Sequence, residues 1–272
     1  MRTSGSALLA RVVPPGAASL RRSPRLVERN LLVYRRTWLV IVSGVFEPLF
    51  YLLAVGLGVG HLVGGISGEG GRTVSYPVFV APGLLASAAM NGAIYDSTFN
   101  VFHKLRFAKT YDAMLSTPVG VGDVAVGEVA WALLRGTLYA ISFLVVMAAL
   151  GLARSPWLVL ALPGSVLIGF GFAGIGMAAT TFMRSWQDFD LVQLVLLPLF
   201  LFSATFYPLS AYPGPVQVLV SITPLYRGID LLRALNAGDL GLRLVGDAAY
   251  LAIMGLVGVI VAARRLGRLL LR

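Results

Sequence analysis

The sequence has no cysteine and few charges, and these shortages exclude several classes of protein. Without thiols, the 272 residues can form neither a disulfide framework nor a thiolate metal site. The two histidines, His61 and His103, leave little for a zinc site or a histidine-based catalytic triad. Only 12% of the residues are charged and 57% are apolar, and the mean hydropathy is +0.83. This composition excludes a soluble globular domain and predicts an integral membrane protein.

The motif that binds ATP phosphates is also missing. A P-loop reads GxxxxGK[ST], with its lysine on the phosphates. Only Lys109 is followed by Thr or Ser, and His103 and Ala108 stand where the two glycines are required. The GxSxG and HExxH motifs are absent as well. We therefore do not expect an enzyme, and an intramembrane enzyme is kept as an alternative from another class.

Six segments are apolar enough over about 20 residues to cross a bilayer. Open strands cannot satisfy their backbone in lipid, so each segment is expected to be a helix. The sequence thus predicts an all-α integral membrane protein. The six predicted spans cover about residues 38–60, 78–99, 124–150, 157–183, 189–207 and 244–263.

The basic residues set the predicted orientation of these spans. With the N-terminus inside, most of the 22 lysines and arginines fall on the inner side, and five arginines fall outside. Those five are Arg72, Arg154, Arg227, Arg233 and Arg243. The bias places both termini in the cytoplasm of a multi-pass protein of the plasma or inner membrane. It also explains the net charge of +10 without any role in nucleic-acid binding.

The chain before the first span has two parts. Residues 1–23 are predicted to be a basic mobile tail and not a signal peptide, because Pro14-Pro15-Gly16 interrupts the apolar run that a signal peptide needs. From Pro24 to Thr37, apolar side chains such as Val27 and Leu31 share one helical face. This pattern favours an amphipathic helix in the headgroup plane, and the alternative is a plain basic flank of the first span.

The loop between the second and third spans is the most polar part of the chain outside its ends. It holds both lysines of the protein, Lys104 and Lys109. A short helix over about residues 109–118 is predicted, stopped by a proline. Its members are Lys109, Thr110, Tyr111, Asp112, Ala113, Met114, Leu115, Ser116, Thr117 and Pro118. Such a helix on the cytoplasmic face is well placed to receive force from another protein.

The loop before the last span contains two short apolar pieces, Val216–Ile222 and Leu225–Leu235, separated by prolines. Neither is long enough to span, so residues 208–237 are expected to form a re-entrant helical segment.

Four polar residues lie inside predicted spans, namely Glu47, Asn91, Arg135 and Gln193. Polar groups at membrane depth usually face partners or water. Glu47 and Arg135 lie at similar depths, so we expect an ion pair. This pair either lines a translocation path or locks helix packing, and the sequence leaves both open. The helix dipole suffices to explain Asp123 and Glu128 at the start of the third span.

The order of these features resembles the membrane subunit of ABC type-2 exporters, in particular the NodJ-like and DrrB-like permeases of lipooligosaccharide and drug efflux. The matching stretches are EPLFYLLAVGLGVG from Glu47, FVAPGLLASAAMNGAIYDSTF from Phe79, KTYDAMLSTPVGVGDVAVGEVAWALLRG from Lys109, and FYPLSAYP with TPLYRGIDLLRAL from Phe206 and Thr223. The family usually has an aromatic residue followed by glutamate before Ala-Met-Leu, whereas this chain has Tyr111-Asp112.

The resemblance implies that residues 24–272 are one ABC type-2 transmembrane domain. It implies two permease subunits, as a homodimer or heterodimer, and two copies of a separate ATPase subunit that carries ATP and magnesium. No cofactor is then expected on this chain. The helix at 109–118 would be the coupling helix that docks on the ATPase. The substrate would be amphipathic: a drug, a lipid-linked saccharide or a polyketide. A non-transporting membrane scaffold of the same fold is the alternative.

Overall fold

The protein is described here by a computed structural model covering residues 17–34, 46, 49–63, 65–67 and 73–270. Its α-helices, in chain order, are α1 (Ala17–Tyr34), α2 (Gly60–Val63), α3 (Tyr76–Tyr95), α4 (Thr110–Leu115), α5 (Val121–Ala149), α6 (Ala161–Thr180), α7 (Asp188–Phe202), α8 (Gly214–Ser221), α9 (Pro224–Ala237) and α10 (Leu242–Leu270). Other helical turns are π-helical at Leu52–Val59, Asp96–Asn100 and His103–Phe107, and 3₁₀ at Pro156–Leu160 and Leu209–Ala211.

The strand content of the described residues is one small hairpin before α3. Strand β1 (Gly65–Ser67) pairs antiparallel with β2 (Thr73–Ser75), and Ile66 lies opposite Val74. Everything else with regular structure is helical. The chain is therefore an all-α protein.

Four helices of the described residues are long and apolar enough to cross a membrane: Tyr76–Phe107, Val121–Ala149, Pro156–Thr180 and Leu242–Leu270. They overlap the second, third, fourth and sixth predicted spans. Most of the first predicted span, including Glu47, lies outside the described residues. These helices make the chain a membrane-embedded protein.

The second span is longer than the sequence predicted, because α3 continues through two π-helical turns to Phe107 rather than ending near residue 99. The hydroxyl of Thr98 donates to the Ile94 carbonyl at 2.6 Å, and Thr180 of α6 donates to the Ser97 carbonyl at 3.0 Å. Polar residues in this stretch thus find protein partners, so their polarity does not end the helix.

Helices α6 and α10 pack closely through glycines. A Cβ on Gly174 would lie 2.4 Å from the Gly255 carbonyl oxygen, and one on Gly258 would lie 2.3 Å from the Gly174 carbonyl carbon. Small residues allow such close approach of helices in membranes, where lipid is as apolar as the side chains. Ser165, Gly169 and Ala173, which repeat at four-residue spacing along α6, are also buried within the chain.

Helix α7 is shorter than the predicted fifth span, residues 189–207. It ends at Phe202, and its 15 residues rise about 22 Å, less than the ~30 Å of a hydrocarbon core. Ala204 adopts φ 56°, a left-handed conformation that stops the helix. Arg233 of α9 donates to the Ala204 carbonyl at 3.0 Å, which holds this bend against α9.

Candidate functional site

The loop after the second span folds into the short helix α4. Lys109 precedes it with φ 45° and ψ 32°, a left-handed conformation that turns the chain sharply after Phe107. After Leu115 the backbone closes into a turn, with Ser116 N–H donating to the Asp112 carbonyl and Thr117 N–H to the Met114 carbonyl. Pro118 follows in this turn and cannot continue the helix.

Helix α4 has one face on the protein and one in solvent. Tyr111 is fully buried, while Met114 and Leu115 are half-buried against the core. Asp112 and Ala113 are exposed, as are Lys109, Thr117 and Pro118 on either side; Thr110 is half-buried. The docking role predicted for this helix stays a prediction, and Asp112 and Ala113 form its most open part.

A polar cluster lies beneath Tyr111, where α1, the end of the second span and α5 meet. We call it the Lys104 cluster, after its residues Asn30, Lys104 and Glu128. The Lys104 ammonium donates to both carboxylate oxygens of Glu128, at 2.9 and 2.7 Å, and to the Asn30 amide oxygen at 3.4 Å. The side chains of Lys104 and Glu128 are only 12% and 3% exposed. The ion pair therefore joins the two spans that flank α4.

Tyr111 connects α4 to this cluster. Burial raises the pKa of the Tyr111 hydroxyl well above its usual value, and the nearby Glu128 carboxylate adds to the shift. The phenol therefore stays neutral, and its ring, which is fully buried in the core, anchors α4 to the protein near Glu128. A movement of α4 would be passed directly to the residues that hold the second and third spans together.

Helix α1 also packs onto this region. Ser23, Leu26 and Asn30 form its buried face, while Leu31 and Leu32 are exposed. A Cβ on Gly127 of α5 would lie 2.7 Å from two carbon atoms of Leu26, so this glycine sets how closely α1 approaches. One side of the amphipathic helix therefore contacts protein and leaves other apolar residues available to the headgroup region.

A second buried ion pair lies within the spans. Arg135 of α5 donates from Nη1 to Asp96 Oδ1 at 2.5 Å and from Nη2 to the Tyr139 hydroxyl at 2.8 Å. Glu47, the partner expected from the sequence, lies outside the described residues, so that pair stays a prediction. Asp96 is a partner that the sequence analysis did not select, and the pair joins the second and third spans within the membrane.

Asn91 and Gln193 are both exposed in the single chain. Between Tyr76 and Phe102, Asn91 and Tyr95 are the only exposed residues of an otherwise covered helix. The Tyr95 ring stacks on Phe99 with centroids 4.9 Å apart, and Phe99 stacks on Phe189 of α7 at 4.0 Å. Asn91 and Tyr95 occupy successive turns of α3, and Phe189 and Gln193 occupy successive turns of α7. The stacked rings therefore link two helices that each present a polar residue outside the chain's own core.

At the other end of the second span from the Lys104 cluster, ion pairs join α9 to α10. Arg227 donates to Asp247 at 3.0 Å, and Arg243 pairs with Asp230. Both aspartates are buried. The Arg233 guanidinium also lies over the Phe79 ring, 3.9 Å from its centroid. These contacts fix α9 between the second span and the last helix.

The residues that sequence reasoning missed are Asp96, Lys104 and Glu128. Each had a usable signal, because a carboxylate or ammonium within a turn or two of an apolar span needs a counter-charge at the same depth. Arg135 likewise needed a carboxylate on a neighbouring span. The sequence does not show which face of each helix these side chains occupy.

The fold defines a polytopic α-helical membrane protein with ion pairs buried between its spans. Residues 25–236 match the family model described as ABC-2 type transporter. The chain is 32% identical to nodulation protein J of Rhizobium meliloti (strain 1021) over 244 residues, which is 88% of this chain and 91% of that protein. It is 34% identical to nodulation protein J of Rhizobium leguminosarum bv. trifolii over 212 residues, 77% of this chain and 79% of the relative. The chain belongs to the ABC-2 type transporter family and is a NodJ-like membrane transport permease.

Proposed function

We propose that this chain is the membrane-spanning permease subunit of an ATP-driven exporter, coupled through α4 to a separate ATPase subunit. The observation that carries the proposal is the seating of α4. Tyr111 is buried over the Lys104–Glu128 pair, which joins the second and third spans, while Asp112 and Ala113 point to solvent. A partner that pushes on the open face would move both spans at once.

The proposed arrangement in the membrane has six spans with both termini in the cytoplasm of the cell, and its fifth span consists of α7 together with the irregular chain that continues it to residue 207. It places α4 on the side where ATP is available. Helices α8 and α9 are too short to span, at 8 and 14 residues, and would form the re-entrant segment that closes the outer exit. The buried contacts of α9 with Asp247 and Ala204 support a closing role.

The proposed assembly has two permease subunits, identical or different, and two ATPase subunits that carry ATP and magnesium. Support comes from Asn91 and Gln193, whose polar side chains are exposed on the single chain at membrane depth. Such groups are costly against lipid, so a second subunit or a polar path should cover them. We place the translocation path at this face, with Arg135 buried behind it.

The proposed substrate is amphipathic. The exposed surface beside Asn91 and Gln193 combines the Tyr95 ring with apolar residues of α7 such as Leu194 and Leu197. A drug, a polyketide or a lipid-linked saccharide would each match that mixture. The resemblance to NodJ-like permeases of lipooligosaccharide efflux makes a lipid-linked saccharide the first candidate to assay.

The test is a charged replacement on the open face of α4. We expect Ala113→Glu to leave membrane insertion intact and to reduce substrate transport by the reconstituted permease–ATPase complex at least tenfold. The matched control is Ala149→Glu, at an exposed alanine on the far end of α5, which should transport normally. Full transport by Ala113→Glu would contradict coupling through α4. A wild-type complex that binds the ATPase but moves no substrate would favour a membrane scaffold instead.

A further inference from the structure

Two arginines from separate parts of the chain contact the loop between α6 and α7, and the loop itself carries a third arginine. Arg106, at the end of the second span, donates from Nη2 to the Met183 carbonyl at 3.0 Å. Arg265, near the end of α10, lies over the Phe182 ring with 3.6 Å between its guanidinium carbon and the ring centroid. Arg184 is the next residue of the loop and is exposed. We call these three residues the loop arginines.

No carboxylate of the described residues forms a close ion pair with the loop arginines. Among the described residues, none of them has a carboxylate oxygen within 4.0 Å. Asp188 is the nearest acidic residue in sequence, but its Oδ2 accepts the backbone N–H groups of Arg184 and Ser185, at 2.6 and 3.1 Å. Asp190 is exposed in the first turn of α7. The three loop arginines outnumber these two aspartates, and the exposed Arg264 and Arg268 of α10 add to the positive charge.

The same loop is surrounded by exposed aromatic side chains. Phe107, Phe182 and Trp186 are 55%, 57% and 44% exposed. The Phe107 and Trp186 rings lie 5.5 Å apart. Aromatic residues at the ends of membrane spans sit at the headgroup level, with arginines beside them. Charge and rings together match a lipid with an anionic headgroup and an acyl chain.

We infer that the loop arginines bind the headgroup of an anionic phospholipid of the inner leaflet, whose acyl chain lies against Phe107 and Trp186. The inference rests on the proposed orientation, which puts this loop on the cytoplasmic side. It goes beyond the general inner bias of basic residues, because that bias does not require arginines of the second span and α10 to contact Met183 and Phe182, the two residues before Arg184.

The length of the loop favours lipid over an acidic surface of the ATPase. Residues 181–187 connect α6 directly to α7, so the loop stays close to the ends of both helices. The connection that contains α4, residues 108–120, is nearly twice as long and is the part proposed to reach the ATPase. The loop arginines therefore lie at the headgroup plane.

Trp186 provides a built-in probe of this site. The complete permease–ATPase complex is reconstituted in vesicles of phosphatidylcholine with added phosphatidylglycerol, and lipids with brominated acyl chains quench nearby tryptophans. Subtracting the signal of Trp186→Phe isolates Trp186 from the other tryptophans. Each basic residue near an anionic surface strengthens lipid binding about fivefold. We expect brominated phosphatidylglycerol to quench Trp186 at least fivefold more effectively than brominated phosphatidylcholine.

Arg184→Gln should lower that preference about fivefold. Its side chain is exposed, so the variant should fold normally. Arg106→Lys, which keeps the charge, should retain most of the preference, and Arg154→Gln, an exposed arginine in the loop after α5, should not change it. Excess inorganic phosphate should not abolish the preference.

Three results would overturn the inference. Equal quenching by the two lipids in the wild-type complex would show no anionic lipid site. Loss of the preference in inorganic phosphate would assign the arginines to a free anion. An Arg184→Gln variant that keeps the lipid preference but loses the ATPase on co-purification would assign them to the partner protein. None of these results depends on transport, so they are separable from failure of the proposed function.

Discussion

Replacing Glu128 with glutamine should leave the Lys104 ammonium facing a neutral amide in a nearly dry site. The wild-type pair has two bonds of 2.7 and 2.9 Å, and Lys104 is 12% exposed. Removing one partner of a buried ion pair costs about 3–5 kcal/mol. Asn30 still accepts from Lys104 at 3.4 Å, so we expect a loss near the lower limit, about 3 kcal/mol.

The pair can be tested by a double-mutant cycle. Lys104→Met alone should destabilise the protein, and the double variant with Glu128→Gln should recover part of the loss, with a coupling energy of at least ~1.5 kcal/mol. The free energy of unfolding is measured in mixed micelles by titration with a denaturing detergent. Glu28→Gln, at an exposed carboxylate on α1, is the matched control and should change stability by less than ~0.5 kcal/mol. Additive losses in the double variant would refute the reasoning.

Two further predictions follow from the packing of the spans. Gly174→Ala should destabilise the protein by about 1–3 kcal/mol, because its Cβ would meet the Gly255 carbonyl oxygen at 2.4 Å. Its control, Gly136→Ala, meets nothing within 4 Å and should be neutral or stabilising in the same unfolding assay; equal losses would contradict the close packing. Asp96→Asn should cost about 3 kcal/mol, because it leaves the buried Arg135 guanidinium without the Asp96 charge. The combination with Arg135→Gln should cost less than the sum of the two single variants, and simple additivity would rule the pair out.

The membrane helices could be predicted from the sequence because amino-acid composition alone identifies them. A run of about 20 apolar residues must be helical in lipid, and four such helices are present where runs were found. The all-α class followed from the same argument. The end of the second span was misplaced because residues 100–107, which include Lys104, read as a polar loop. Lys104 has an ionic partner on α5, so the helix continues to Phe107.

The partners of the buried charges could not be predicted from the sequence. Counting residues along a span gives the depth of a side chain but not its direction around the helix axis. Glu47 and Asp96 were both possible counter-ions for Arg135, and only Asp96 lies among the described residues, at 2.5 Å. Glu128 was explained by the helix dipole, because nothing in the sequence says that Lys104 faces it. Likewise, no residue near position 204 in the sequence predicts the left-handed conformation of Ala204 that shortens α7.

The central claim is that the open face of α4 touches a separate ATPase subunit. The natural absence of cysteine makes this directly measurable, because Ala113→Cys introduces the only thiol of the chain. A short bifunctional cross-linker is applied to the complete permease–ATPase complex, and the control is Arg154→Cys, an exposed position on the side predicted to be outside. The account predicts a covalent permease–ATPase product with Ala113→Cys and none with Arg154→Cys. No product with Ala113→Cys in an intact complex, or a product with Arg154→Cys alone, would contradict it.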